Sequence, residues 1–302
     1  MPILGIMASQ ISGHLVAPIL GTTWTAGGSL PRTGDWICSA AGNGMVVAFD
    51  GNSLATYASS PTGATWTSRS ITTGAYNSVG YGNGVFLVFE NVGPTQTSTT
   101  GTSFTAATST ALGGSIIYSC GYYLNNWLAI RASATSASIS ANNGSTWTAK
   151  TLSNSVYAIT ASPTRAVGVK NGTTNTSYSS DLTTWTTGSM PSSSTWTGVG
   201  YGNGVFFATS SVAGVGGASS TDGISWTSRT LPSSTTWFKV LWAGSNFIVF
   251  TQGGTVCATS TDGISWTSRT IGNAWWFSGG VINNSVVMVA YNASTASQIS
   301  TS

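Results

Sequence analysis

The sequence predicts an all-β fold, and three observations lead to it. A motif that ends in an aromatic residue recurs about every 40 residues along the 302-residue chain. Thr, Ser, Gly, Val and aromatic residues, which favour strands and turns, are abundant, whereas strong helix formers are few. The motif is also divided between the two ends of the chain. A period of this length is typical of four-stranded propeller blades, so we expect a seven-bladed β-propeller.

The motif is clearest in two nearly identical segments. Ser220–Trp226 reads STDGISW, and Ser260–Trp266 reads the same. Successive aromatic anchors are 38 to 43 residues apart. The anchors are Trp24, Trp66, Phe104, Trp147, Trp185, Trp226 and Trp266.

One repeat shows the order of the predicted elements. A strand over 76–81 is followed by the turn Gly82-Asn83-Gly84, in which Gly and Asn accept positive φ angles. An apolar strand over 85–89 comes next, buried on both faces, and then a polar strand over 95–100. A last strand begins at Phe104. In all, this order starts at seven positions: Trp36, Tyr76, Tyr118, Tyr157, Trp196, Phe238 and Phe277.

The divided motif predicts how the ring closes. The chain ends in Ser300-Thr301-Ser302, and the missing half, Gly21-Thr22-Thr23-Trp24, lies near the other terminus. We therefore expect 23–26 to supply the fourth strand of the last blade, which removes two exposed sheet edges. This places the propeller at 21–302 and leaves 1–20 as an apolar N-terminal arm.

Composition excludes several classes of function. Only 5% of the residues are charged, which suits a protein held in a larger assembly better than a free cytosolic one. The nine basic residues are scattered, so we expect no nucleic-acid partner. No apolar run is long enough for membrane insertion. With one histidine, in the arm, and three cysteines that we expect to be reduced, we predict no metal and no cofactor.

The repeat motif resembles the Asp-box of sialidase-type propellers, and Ser140–Trp147 matches its spacing with Asn in the Asp position. The expected role is structural: Asp222 and Asp262 cap backbone N–H groups in a turn, and the aromatic ring fills the blade. Sialidases also need an arginine cluster and a Tyr/Glu pair, and Glu90 is the single glutamate of the chain. We therefore expect no enzymatic activity; a degenerate glycan hydrolase is the alternative.

Aromatic residues at the start of the first strands are the candidate binding site. They either pack one blade against the next or form a platform on which sugar rings stack. Aromatic density is highest in blades six and seven. The candidate receptor- or glycan-binding residues are Trp36, Trp196, Trp237, Trp275 and Trp276.

The arm carries a second resemblance. Its segment ILGIMASQISGHL, residues 3–15, resembles the N-terminal segment of tail-fibre and minor structural proteins of tailed bacteriophages. That resemblance implies docking into other virion proteins, through a strand or a groove. The alternative is that the arm folds back over the propeller. The anchoring residues we expect are Ile3, Leu4, Ile6, Met7, Ile11, His14 and Leu15.

Together these features predict a non-enzymatic structural protein of the bacteriophage virion, assembled in the host cytoplasm. The favoured role is a tail fibre or receptor-binding protein, oligomeric within the particle, that presents its propeller to host-surface glycan. The alternative is a capsid-decoration or head-fibre protein with a purely structural role.

Overall fold

The computed structural model describes residues 19–52, 54–91, 94–107, 112, 116–131, 135–214, 216–291 and 295–301. Within these ranges the chain forms 27 strands and no helix, so no segment of them is a helix that could cross a membrane. The predicted anchoring residues Ile3, Leu4, Ile6, Met7, Ile11, His14 and Leu15 lie outside the described residues.

The first three sheets each contain four consecutive antiparallel strands. The first comprises β2 (Trp36–Gly42), β3 (Met45–Asp50), β4 (Leu54–Ser60) and β5 (Thr67–Gly74). The second comprises β6 (Tyr76–Gly82), β7 (Val85–Glu90), β8 (Gln96–Ser98) and β9 (Thr105–Ala106). The third comprises β10 (Ile117–Tyr123), β11 (Asn126–Arg131), β12 (Ser136–Ser140) and β13 (Thr148–Thr151).

The next sheet has seven strands, and one long strand joins its two halves. It comprises β14 (Ala158–Ala161), β15 (Ala166–Val169), β16 (Asn171–Ser179), β17 (Thr186–Gly202), β18 (Val205–Ser210), β19 (Gly217–Ser220) and β20 (Thr227–Arg229). The N-terminal part of β17 pairs with β16, and its C-terminal part pairs with β18. The 17-residue β17 therefore serves as the last strand of one four-stranded unit and the first strand of the next.

Two further sheets complete the chain. One comprises β21 (Trp237–Trp242), β22 (Phe247–Thr251), β23 (Val256–Ser260) and β24 (Thr267–Thr270). The other comprises β25 (Trp275–Ile282), β26 (Ser285–Tyr291), β27 (Ser297–Thr301) and, at its outer edge, β1 (Thr25–Ala26). In the pairing of β1 with β27, Thr25 lies opposite Ile299.

Tight two-residue turns connect β2 to β3, β6 to β7, β10 to β11, β17 to β18 and β25 to β26. Asn83 and Gly84 have φ angles of 49° and 74°, and Asn203 and Gly204 have 49° and 78°. Positive φ at both central residues gives a turn whose twist matches that of the flanking strands, which is why Asn and Gly occupy these positions.

The core lies between neighbouring sheets. The second strands are apolar on both faces, and residues such as Val47 and Leu87 are fully buried. Strand β2 contacts both β6 and β25, so the first and last sheets are neighbours. Because each second strand is covered by a sheet on either side, it reads as a continuous apolar run rather than an alternating one.

A β-bulge recurs near the start of the first strand. In β2 the pairing passes from Trp36 to Cys38, and comparable shifts occur in β6, β10, β17, β21 and β25. The predicted alignment of the first strands is corrected by this geometry. The position before the bulge is occupied by Ile117, Trp237 and Trp276, where the sequence pattern suggested Tyr118, Phe238 and Phe277. The residues skipped by the pairing are Ile37, Asn77, Tyr118, Thr197, Phe238 and Phe277.

Candidate functional site

A cavity of about 530 Å³ lies between the first strands and opens to solvent where those strands begin. Side chains from β2, β6, β10, β21 and β25 line it, together with Tyr157, Gln252 and Tyr291. A volume of this size falls in the range of small-molecule sites. We call it the axial cavity.

The β-bulges direct side chains to the axial cavity. Four of the residues skipped by the strand pairing line it: Ile37, Asn77, Tyr118 and Phe277. A bulged residue lies outside the ladder, so its side chain is aimed differently from those of its neighbours, and bulges are common beside functional sites for this reason.

Two aromatic clusters form part of the wall. Tyr118 and Tyr157 have ring centroids 5.3 Å apart. On the other side, Tyr291 stacks on Trp275 at 5.9 Å and packs against Phe277 at 5.2 Å. Tyr118 is 43% exposed and Trp275 45% exposed, so the rings of both are accessible at the mouth. Exposed aromatic faces of this kind can stack on planar or sugar rings.

Lys239 supplies the positive charge of the axial cavity. Its Nζ lies 5.2 Å from the ring centroid of Phe238 and 5.7 Å from that of Phe277. Burial lowers the pKa of Lys239, and the nearby Cys38 thiol opposes this shift. The one ion pair found in the described part of the chain joins Arg32 to Asp50 at 2.8 Å, so Lys239 has no carboxylate partner there.

Hydroxyl and thiol groups complete the lining. The Ser39 and Ser278 Oγ atoms are 2.7 Å apart, and Ser78 Oγ donates to Cys120 Sγ at 3.1 Å. Burial raises the pKa of Cys120 to about 12 and that of Cys38 well above its ordinary value. These thiols are therefore protonated at neutral pH and are weak nucleophiles. No group of three or more His, Cys, Asp or Glu side chains that could hold a metal occurs among the residues described.

The structure separates the five candidate tryptophans into two groups. Trp36, Trp196, Trp237 and Trp276 are at most 1% exposed, and they pack between sheets. Their burial leaves no face for a sugar ring, so the stacking role predicted for them is corrected to core packing. Trp275 alone of the five is exposed, and it lines the axial cavity.

Sequence reasoning missed Lys239 and Tyr291 as members of this site, and it placed Tyr118 among the aromatic residues of the first strands without choosing it as a binding residue. A lysine inside the apolar strand WFKVLW is the one signal that could have indicated a cavity, since a lysine is rarely buried without a reason.

The repeat motifs lie in the turns before the last strand of each unit. Asp222 Oδ1 accepts hydrogen bonds from the backbone N–H groups of Ile224 and Ser225 at 2.8 and 3.0 Å. Asp262 Oδ1 accepts the equivalent hydrogen bonds from the backbone N–H groups of Ile264 and Ser265 at 2.7 and 2.8 Å. Burial raises the pKa of each carboxyl, but the two N–H donors and a serine hydroxyl outweigh it, and the net pKa is lowered.

The motif aromatic residues pack into the sheets. Phe104 meets Phe49 edge-on at 5.4 Å, Trp147 lies 5.6 Å from Phe89, and Trp24 lies 5.7 Å from Phe250. The others occupy comparable places in the core: Trp66, Trp185, Trp226 and Trp266. None of the seven lines the axial cavity.

The described chain begins at the opposite end of the sheets from the cavity mouth. Leu20, 2% exposed, is held by Asn246, which lies in the turn between β21 and β22. Asn246 Oδ1 accepts from the Leu20 N–H at 3.0 Å, and its Nδ2 donates to the Leu20 carbonyl at 2.8 Å. Trp275, which begins β25, and Tyr291, which ends β26, lie at the other end of their strands. Leu20 and the mouth of the axial cavity thus lie at opposite ends of the sheets.

Comparison with known proteins identifies the fold. No protein-family model and no curated protein matches the sequence. Solved structures do match. Virginiamycin B lyase from Staphylococcus aureus has a TM-score of 0.78 at 11% identity, over 93% of this chain and 99% of that one. The structure of YCF48 bound to a D1 peptide has a TM-score of 0.73 at 14% identity, over 97% of this chain and 99% of that one. The WD40 β-propeller domain of Doa1 has a TM-score of 0.67 at 12% identity, over 93% of this chain and 97% of that one.

These likenesses confirm the prediction of an all-β propeller fold. They also correct the prediction that the chain has no enzymatic activity, because that prediction considered only the residues that sialidases and glycosidases need. Similar structures include lyases, namely those of streptogramin B and virginiamycin B, so this fold carries enzymes as well as binding proteins. At 11–14% identity the likeness concerns the fold of this chain.

Proposed function

We propose that this chain is a bacteriophage tail-fibre or receptor-binding protein whose propeller has seven blades and presents its axial cavity to host-surface glycan. The observation that carries the proposal is the separation of the two ends. The described chain begins beside Asn246, whereas the exposed rings of Tyr118 and Trp275 lie at the opposite end of the sheets. A particle protein that is fastened at one face and recognises a ligand at the other needs this arrangement.

The seven-bladed, closed ring is supported by strand pairing and packing. The two halves of the sheet that share β17 each count as one blade, and β1 is the outer strand of the last blade. Contacts between first strands run from β2 through β6, β10, β14, β17, β21 and β25 and return to β2. In this proposal every blade has four strands, and the ring leaves only short, protected sheet edges.

The glycan part of the proposal is supported by the chemistry of the axial cavity. Sugar rings present C–H faces that stack on aromatic side chains, and Tyr118 and Trp275 are exposed at its mouth. Sugar hydroxyls need donors and acceptors, and Ser39, Ser278 and Gln252 line the same space.

The attachment part is tested by deleting residues 1–18 and keeping Leu20. We expect the shortened protein to fold with an unchanged melting temperature and to be missing from purified particles. The control Trp275→Ala should be incorporated normally but should slow adsorption of particles to host cells. Normal incorporation of the shortened protein would refute docking through the N-terminal segment. Imaging of whole particles separates the tail fibre, with the ring at the tail tip, from the capsid-decoration alternative.

A further inference from the structure

Lys239 faces the axial cavity without an anionic partner. None of the described residues that line the cavity carries a carboxylate, although Lys239 is partly buried among Phe238 and Phe277. Burying an ammonium group without a counter-charge is unfavourable, and burial accordingly lowers its pKa. Contact with the two ring faces offsets part of this cost. An anion bound beside Nζ would offset the rest.

The surrounding groups restrict what such an anion can be. The hydroxyl-bearing residues Ser39 and Ser278 lie on the wall, and Trp275 and Tyr118 offer exposed ring faces at the mouth. This combination of hydroxyl partners and ring faces suits a sugar ring better than an inorganic ion or a hydrocarbon chain. The volume of about 530 Å³ accommodates one or two sugar rings.

One lysine offsets one negative charge. A second negative charge on the ligand, as on a phosphate monoester, would enter the cavity without a partner and would carry its own desolvation cost. A carboxylate on a sugar ring matches the single charge of Lys239 and the hydroxyls around it.

We infer that the axial cavity binds a glycan residue bearing one carboxylate, such as a uronic acid, and that Lys239 receives the carboxylate while Trp275 and Tyr118 stack on the ring. This inference rests on the proposed recognition of glycan and names the chemical class of that glycan.

The test is calorimetric titration of the full chain with mono- and disaccharides in matched pairs, each acidic sugar beside its neutral counterpart: glucuronate and glucose, galacturonate and galactose. We expect each uronate to bind more tightly than the corresponding neutral sugar. Lys239→Gln should weaken uronate binding by about 10-fold to 100-fold, as expected for loss of a charged hydrogen bond, and should leave neutral-sugar binding unchanged.

Two further variants keep the test decisive. Lys239→Arg retains the charge and should retain the preference for the acid, which also covers the case in which Lys239→Gln fails to fold. Lys150→Gln removes one positive charge from the outer strand β13, away from the cavity, and should change nothing.

The outcomes separate the two proposals. Binding of neutral and acidic sugars with equal affinity, or an acid preference that survives Lys239→Gln, would overturn the inference and leave glycan recognition standing. Binding of no sugar in the panel, with particles that still lose adsorption in Trp275→Ala, would overturn the inference and show that the receptor is not a glycan of this kind. Equal loss in Lys150→Gln and Lys239→Gln would show that only the net charge matters, and this too would overturn it.

Discussion

Replacing Asn246 by alanine tests how residues 20–26 are held against the rest of the propeller. The amide of Asn246 is fully buried and makes two hydrogen bonds to the backbone of Leu20, which is itself 2% exposed. Alanine leaves the Leu20 N–H and carbonyl without these partners. Each orphaned buried group costs about 1–3 kcal/mol. If Leu20 instead leaves its site, the chain loses about 2 kcal/mol of apolar burial in addition to the hydrogen bonds.

Either route predicts that Asn246→Ala lowers the free energy of unfolding by about 3 kcal/mol. The measurement is urea unfolding followed by tryptophan fluorescence, with hydrogen exchange over residues 20–26 to localise the change. Asn246→Asp keeps an acceptor for the Leu20 N–H but sets a buried carboxylate against the Leu20 and Phe247 carbonyls, so its loss should be at least as large. Thr23→Ala, at an exposed residue of the same segment, should fall within about 0.5 kcal/mol of the unmodified protein.

The reasoning would be refuted by an Asn246→Ala protein whose free energy of unfolding changes by less than about 0.5 kcal/mol and whose exchange over 20–26 is unaltered. That result would mean that the packing of Trp24 against Phe250, rather than the two hydrogen bonds from Asn246 to Leu20, holds residues 20–26 in place.

Three further predictions concern the core, the turns and the thiols. Trp237→Ala should destabilise the protein by about 3–5 kcal/mol because Trp237 is fully buried, whereas Trp275→Ala, at a 45% exposed residue, should cost far less; a similar effect in urea unfolding would contradict the assignment of Trp237 to the core. The pKa of Asp222 and of Asp262 is lowered in the fold, so each adds stability above its ordinary pKa that is lost as the pH falls through its folded pKa. Melting temperatures from pH 7 to pH 2 should therefore fall less steeply when both are changed to Asn, and parallel curves would argue against this. Since burial raises the pKa of Cys120 to about 12, its alkylation by iodoacetamide at pH 8 should be slow in the folded protein and fast in urea; equal rates, followed by mass spectrometry, would show that the thiol is exposed.

Much of the fold can be predicted from the sequence because its signals are local. The turns at Asn83-Gly84 and Asn203-Gly204 follow from residues that accept positive φ, and the continuous apolar runs predict strands covered on both faces. The all-β propeller class follows from their spacing. The repeat predicts a last strand after Trp185 and a first strand from Trp196, but it does not predict that the two form one continuous strand, β17. The polar residues between them are held in the strand by pairing with β16.

The candidate site was harder to predict than the fold. A β-bulge shifts the pairing by one residue, so an alignment of first strands by an aromatic residue near their start places Phe238 where Trp237 lies. The same shift decides which aromatic residues enter the core and which reach the axial cavity. The importance of Lys239 depends on the absence of a carboxylate among residues from several sheets, and a single strand does not contain that information.

The recurring bulge also makes the site easy to diversify. Ile37, Asn77, Tyr118, Thr197, Phe238 and Phe277 occupy equivalent skipped positions and differ in size, polarity and charge-bearing neighbours, while the residues just before them stay buried. The residue at a bulge is left unpaired in the ladder, so exchanging its side chain disturbs no pair of opposed residues. The residues at these positions can therefore be changed one at a time to alter the ligand preference, while the strands that carry them stay the same. Randomising 37, 77 and 118 together would vary the lining of the axial cavity on one propeller frame.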